Sequence, residues 1–242
     1  MSTTQLTLGL FAPPQKDFVD YRGTCNQHPR LALEAWTAGA KPWCVGIWGG
    51  PGTGKSHLLQ AAIRRVHENG HLAMYLPLRE MQIHGPEILE DLDSVSALAL
   101  DDIEAVAGDP AWEQALFALY NRCNAADGRL IYSSRLAPAA TPFRLRDLQS
   151  RLTAALIFQL NELDDREKQA VLQEVAHARG MELNTHVAGF LIRRLPRNMH
   201  DLIAALDVLN GVSLRESRAL TVPFVRDALK LGAAESRFES SQ

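Results

Sequence analysis

Read for the spacing of apolar and polar positions, the chain divides into two unlike stretches. From Trp43 to Leu160, short continuous apolar runs alternate with segments of helical spacing. The runs Trp43–Trp48, His71–Leu76, Ala97–Leu100, Leu130–Ser133 and Leu156–Leu160 have the length and continuity of strands buried on both faces. Between and before them, His28–Ala38, Lys55–Asn69, a shorter piece near Pro86–Leu92 and Ala111–Ala125 predict helices. Strands that alternate with helices predict an α/β fold, a parallel sheet with helices on both faces. After Leu160 strand signals stop. Asp164–Arg179 opens on acids and ends at Gly180, as a helix should. His186–Leu195, Met199–Leu209 and Val222–Leu231 follow with helical spacing. The pattern predicts a tail over 1–17, an α/β domain over 18–161, a small all-helical domain over 162–232 and a frayed end over 233–242.

Composition narrows the class. The 242 residues are 46% apolar and 22% charged, with a formal net charge of −3. That balance offers no bulk field for nucleic acid. The three cysteines, Cys25, Cys44 and Cys123, are odd in number and without a Cys-x-x-Cys spacing. They argue against a disulfide framework or a zinc site and suit a reducing cytoplasm. No apolar run approaches the roughly 20 residues of a membrane helix, so no membrane role is expected.

The chemistry begins at Gly49-Gly50-Pro51-Gly52-Thr53-Gly54-Lys55-Ser56, a Walker A loop between a buried strand and a helix. Its glycines let backbone N–H groups face phosphate oxygens, and the helix N-terminus adds its dipole. Lys55 is expected to reach the β- and γ-phosphates, and Ser56 to place its hydroxyl on Mg²⁺. About 45 residues on, the apolar strand Leu98-Ala99-Leu100 ends in Asp101-Asp102. Here Asp101 is expected to hold Mg²⁺, directly or through water, and Asp102 to polarise an attacking water.

The string Gly54-Lys55-Ser56-His57-Leu58-Leu59 resembles the Walker A of the DnaA/Hda family of AAA+ proteins. Asp17-Phe18-Val19-Asp20-Tyr21 looks like that family's adenine-pocket segment, implying Phe18, Tyr21 and His57 near the nucleotide. Asp101-Asp102-Ile103-Glu104 and Asp147-Leu148-Gln149-Ser150-Arg151-Leu152 are similar to two further family boxes. The second of these implies that Arg151 is an arginine finger, a guanidinium offered to ATP on another subunit. The resemblance spans roughly Gln5 to Leu231 and implies an AAA+ core followed by a helical lid. Ser133 or Ser134 stands where sensor I is expected. At the sensor II position the chain has His200 instead of an arginine, with Arg197 three residues earlier. That departure implies weak or absent hydrolysis by this chain itself, while ADP or ATP binding stands.

Within the family the chain is similar to the short Hda branch, because no helix-turn-helix signature follows the lid. Sequence-specific DNA binding by the chain itself is therefore not expected. The hexapeptide Gln5-Leu6-Thr7-Leu8-Gly9-Leu10, with Phe11 behind it, resembles that branch's sliding-clamp peptide. Its anchors would be Gln5, Leu6, Leu8, Leu10 and Phe11. The resemblance implies a regulator of replication initiation that joins the DNA-loaded clamp and stimulates hydrolysis of DnaA-bound ATP. Homo-oligomer formation is left open. The alternatives are a DnaC-type helicase loader, disfavoured by the clamp-like tail, and a small kinase, disfavoured by the helical lid and the lack of an acceptor motif.

Overall fold

The computed structural model describes residues 16–90, 92, 95–216 and 218–231. The chain forms two compact units, Met1–Glu162 and Leu163–Gln242.

The first unit is built on a five-stranded sheet. Its strands are β1 (Cys44–Trp48), β2 (Ala73–Pro77), β3 (Ala97–Asp101), β4 (Arg129–Ser134) and β5 (Leu156–Gln159), in the order β2-β3-β4-β1-β5. Every pairing is parallel. The helices are α1 (Gln27–Thr37), α2 (Lys55–Glu68), the single turn α3 (Leu78–Met81), α4 (Pro110–Ala125) and α5 (Arg146–Thr153). Alternate residues of each strand feed opposite cores, as the pleat requires. Val45, Ile47, Ala97, Ala99 and Ile131 pack with Leu33 and Trp36 of α1 and Leu58, Leu59 and Ile63 of α2. Cys44, Leu98, Leu100, Leu130 and Tyr132 pack with Leu116 and Leu119 of α4 and Leu148 and Leu152 of α5. The two faces thus carry different machinery: α2 follows the phosphate loop, and α5 carries Arg151.

The second unit is all-helical among its described residues: α6 (Asp165–Ala178), α7 (Thr185–Arg194), α8 (Met199–Glu216) and α9 (Val222–Ala228). A capping box opens α6, in which the Asp164 side chain accepts from the Glu167 N–H at 2.7 Å and Glu167 accepts from the Asp164 N–H at 3.1 Å. Leu172, Leu191, Leu202, Leu206 and Phe224 form its core.

Differences from the sequence pattern are local. The expected helix near Pro86–Leu92 is only a 3-10 turn, Pro86–Leu89. α8 continues past Leu209 to Glu216. α5 had no counterpart among the expected elements.

Candidate nucleotide site

The phosphate loop leaves β1 and enters α2, and its geometry follows from its glycines. Gly52 and Gly54 have φ of 78° and 87°, a region that L side chains rarely enter. A Cβ on Gly54 would also collide with the Tyr21 ring. Thr53 closes the turn, its hydroxyl donating to the Gly50 carbonyl at 2.9 Å. Lys55, almost fully buried, donates from Nζ to the carbonyls of Gly49 at 2.8 Å and Gly50 at 2.9 Å. Burial pushes its ammonium below the ordinary lysine range, against the opposite pull of Asp102, Asp101 and Glu104. Lys55 therefore lies folded along the same loop whose amides would meet a phosphate.

The Asp17–Tyr21 segment docks on the loop and on α2. The Tyr21 hydroxyl donates to the Thr53 carbonyl at 2.9 Å. His57 Nε2 lies 2.7 Å from the Asp17 carbonyl oxygen, and its ring meets Tyr21 edge-on at 5.5 Å between centroids. Tyr21 and His57 thus stand together beside the loop. Phe18 does not join them as an open face. It is 1% exposed and packed in the α1–α2 core, so it supports the segment from beneath instead of presenting a surface to a base.

The acidic pair sits at the end of β3. Asp101, 4% exposed, has both carboxylate oxygens engaged: Oδ2 accepts from the Tyr75 hydroxyl at 2.6 Å, and Oδ1 accepts from the Ser133 hydroxyl. Ser133 also accepts from the Asp102 N–H at 2.9 Å. Its hydroxyl is thus engaged by both acids. Ser134 turns away and donates to the Leu136 carbonyl at 2.6 Å. Asp102 occupies the left-handed region at φ 55°. Its Oδ2 accepts from Arg79 Nε at 2.8 Å, and Arg79 also donates to Glu104 at 3.2 Å. A carboxylate tied to a guanidinium is a poor base for a water, which tempers the role expected of Asp102.

The donor set bears on Mg²⁺. Among the described residues no cluster of three or more His, Cys, Asp or Glu could hold a metal. A phosphate-borne Mg²⁺ needs only one or two protein groups. The Ser56 side chain is exposed at the start of α2 and fits such a role, whereas Asp101, with both oxygens taken, fits a partner acting through water. Tyr75 and Arg79 went unnoticed in the sequence. Their only signal was position, within and just after the strand that pairs with the acid-bearing one.

Arg151 lies elsewhere in this unit, exposed on α5 on the far side of the sheet from α2. It makes no ion pair with a described residue, Asp147 of the same helix included. In the helical unit, α8 starts at Met199 and Asn198 accepts from the Asp201 N–H at 2.9 Å. Arg197 therefore precedes the helix. It and His200 therefore do not lie on one helical face. Arg197 approaches Asp165 at 3.9 Å, and His200 is exposed in the first turn of α8. The residues Gln5, Leu6, Leu8, Leu10 and Phe11 lie outside the described part of the chain.

Comparison with known proteins agrees with this architecture. Residues 164–229 match the family model described as the Hda lid domain. An uncharacterized protein of Haemophilus influenzae is 44% identical over 186 residues, covering 76% of this chain and 80% of its own length. Domain III of the Thermotoga maritima replication initiation protein DnaA superposes with a TM-score of 0.74 at 21% identity, over 90% of this chain and 98% of that one. AMPPCP-bound DnaA from Aquifex aeolicus gives 0.70 at 21% identity, over 93% of this chain and 70% of that one. With the fold of the DnaA AAA+ domains and a C-terminal region that matches the Hda lid model, the chain is an Hda/DnaA-like protein.

Proposed function

We propose that this chain is an adenine-nucleotide-binding regulator of replication initiation that, together with the DNA-loaded sliding clamp, stimulates hydrolysis of DnaA-bound ATP. The observation that carries the reading is Arg151. It stands exposed on α5 with no ion pair to any described residue, which suits a guanidinium meant for a nucleotide held by another protein.

The chain's own site suits holding better than hydrolysing. The loop amides and Lys55 would take the phosphates of ADP or ATP, and Tyr21 and His57 would flank the base. The solved relative carrying AMPPCP supports a nucleotide in a fold of this kind. Mg²⁺ arriving with the phosphates would neutralise their charge, with Ser56 as its protein oxygen and Asp101 acting through water. Asp102 remains bound to Arg79, so in this reading the chain's own turnover is low. Gln5–Phe11 would be the peptide that the clamp accepts.

The reaction assisted by Arg151 is transfer of the γ-phosphoryl of DnaA's ATP to water. As the bond to the leaving β-phosphate oxygen weakens, negative charge spreads over the transferring group, and a planar guanidinium lowers that barrier. Arg151→Ala should keep ADP and clamp binding and lose about 10³-fold or more of the stimulation, the scale of fingers supplied in trans. Arg151→Lys should rescue poorly for want of the planar fork. Turnover of DnaA-bound ATP on clamp-loaded DNA measures both, and full stimulation by Arg151→Ala defeats the proposal. Deleting residues 1–11 should separately abolish retention on immobilised clamp while leaving the melting temperature unchanged.

A further inference from the structure

α5 is an unlikely helix on its own terms. It has 8 residues, and of these only Leu148 and Leu152 are buried. A helix this short is marginal in isolation. Its N-cap, Leu145, supplies no side-chain hydrogen bond to the open N–H groups of the first turn. What holds it comes from elsewhere in the fold.

At the entrance stands Glu113 of α4, a carboxylate only 1% exposed. One oxygen accepts from the N–H of Arg144 at 3.1 Å and of Gly108 at 2.6 Å. The other accepts from the N–H of Leu145 at 2.6 Å. A buried charge without a cation is tolerated only when such donors surround it, and two of the three belong to the two residues that lead into α5. At the exit, the Tyr132 hydroxyl donates to the Leu152 carbonyl at 2.6 Å, and the Tyr120 hydroxyl reaches the Arg151 carbonyl at 3.4 Å. These are carbonyls of the last turn, and that of Leu152 also accepts from the Ala155 N–H at 3.3 Å. Tyr132 is wholly buried, and it reaches across β1 only because residue 46 is glycine, where a Cβ would collide with the phenol. On the flank, the Gln149 amide lies 3.0 Å from the Ala139 carbonyl and 3.1 Å from that of Thr141.

We infer that Glu113 and Tyr132 are positioning residues for Arg151: the carboxylate fixes the entrance of α5 and the phenol its exit, so the backbone beneath Arg151 is set before a partner arrives. The inference rests on the proposal that Arg151 acts on a partner's nucleotide. Preorganisation of this kind matters because a guanidinium on a long side chain gains its effect only when its base is fixed.

The test measures turnover of DnaA-bound ATP on clamp-loaded DNA against the concentration of this chain, so that maximal rate and half-saturating concentration separate. Glu113→Gln keeps the shape but turns an NH₂ toward backbone N–H donors. It should lower the maximal rate about 10- to 100-fold, the scale of a misplacement of up to about one ångström, with half-saturation and ADP affinity unchanged. Tyr132→Phe should lower it less and in the same parameter. In an Arg151→Lys background both substitutions should add little, since they act through the same side chain. Should Glu113→Gln fail to fold by circular dichroism, Tyr132→Phe, whose ring still fills the core, decides alone. Wild-type maximal rates in the foldable variants beside an inactive Arg151→Ala would overturn this inference and leave the role of Arg151 standing. So would losses that fall on ADP affinity and half-saturation instead. Full stimulation by Arg151→Ala would overturn the parent reading.

Discussion

Two arginines, Arg79 and Arg151, stand on short helices of the same α/β unit and end in opposite circumstances. Arg79 spends its fork inward, on Asp102 at 2.8 Å and Glu104 at 3.2 Å. Arg151 makes no ion pair with a described residue, while the helix beneath it is tied at both ends. The difference shows how one fold can hold a nucleotide quietly and still offer a cation outward. Around the phosphate loop, the charges answer one another: Lys55 on the loop carbonyls, Asp101 on Tyr75 and Ser133, Asp102 on Arg79. Around α5 the polar groups are spent on the backbone, and the guanidinium is left over.

The largest effect expected inside the cradle is on Lys55. Its ammonium would supply charge-assisted hydrogen bonds to phosphate worth about 1.5–3 kcal/mol each. Lys55→Ala should therefore weaken ADP binding by roughly 100-fold or more and leave the α5 side of the unit unaltered. Calorimetry that returns wild-type ADP affinity would remove the cradle from the comparison altogether.

Next in size is Gly46→Ala, which reaches the other side of the sheet. The new methyl would collide with the Tyr132 phenol, which must then leave the Leu152 carbonyl. Overpacking a buried site of this kind costs about 1–3 kcal/mol, read as a lower urea midpoint at an unchanged slope. An unshifted midpoint would mean that α5 is not held through Tyr132.

These cases mark where sequence reading succeeds and where it stops. The five strands were legible because each is a compact apolar run, and the phosphate loop because its spacing and its strand–helix context are local. Asp101 and Arg151 were singled out through the boxes around them. α5 itself was not legible as a helix: two leucines at i and i+4 among six polar residues carry almost no periodic signal, and its cap is a carboxylate more than thirty residues away. Tyr75 and Arg79 were missed for a related reason, since only the pairing of β2 with β3 brings them to the acids. Phe18 shows the opposite case. An aromatic in a family-like segment suggested a ligand face, but the α1–α2 core takes it up. Arg197 stands three residues before His200, but a helix beginning at Met199 does not carry the two on one face.

A smaller effect, on pH dependence, sharpens the cradle side. Burial holds the His57 imidazole below its ordinary value of 6.5, against the opposing pull of the Asp17 carbonyl contact. The unfolded chain therefore takes up the proton first as pH falls. His57 contributes stability that is whole above about 6.5 and is lost as pH drops below it toward the folded value. Melting temperatures compared at about pH 7.5 and pH 5.5 should fall less in His57→Gln than in the wild type. An equal fall in both would show that the imidazole stays accessible to protons in the folded chain.

The smallest effect sets the two arginines directly against each other. The Arg79 pairs are partly exposed, with 46% of the Arg79 side chain open to solvent. Pairs of that kind contribute about 0–1 kcal/mol, and salt weakens them. Arg79→Ala should therefore melt slightly below the wild type at low ionic strength. That gap should close in about 1 M salt, where the screening length is only about 3 Å. Arg151 has no comparable partner to lose among the described residues, so Arg151→Ala should stay within about 0.5 kcal/mol of the wild type at either salt concentration, as surface substitutions do. Scanning calorimetry on the two variants at both ionic strengths gives the four values required. A salt-sensitive loss in Arg151→Ala equal to that in Arg79→Ala would mean that Arg151, too, is committed to a partner within its own chain. It would then be bound in the fold like Arg79, and the contrast from which its outward role is argued would disappear.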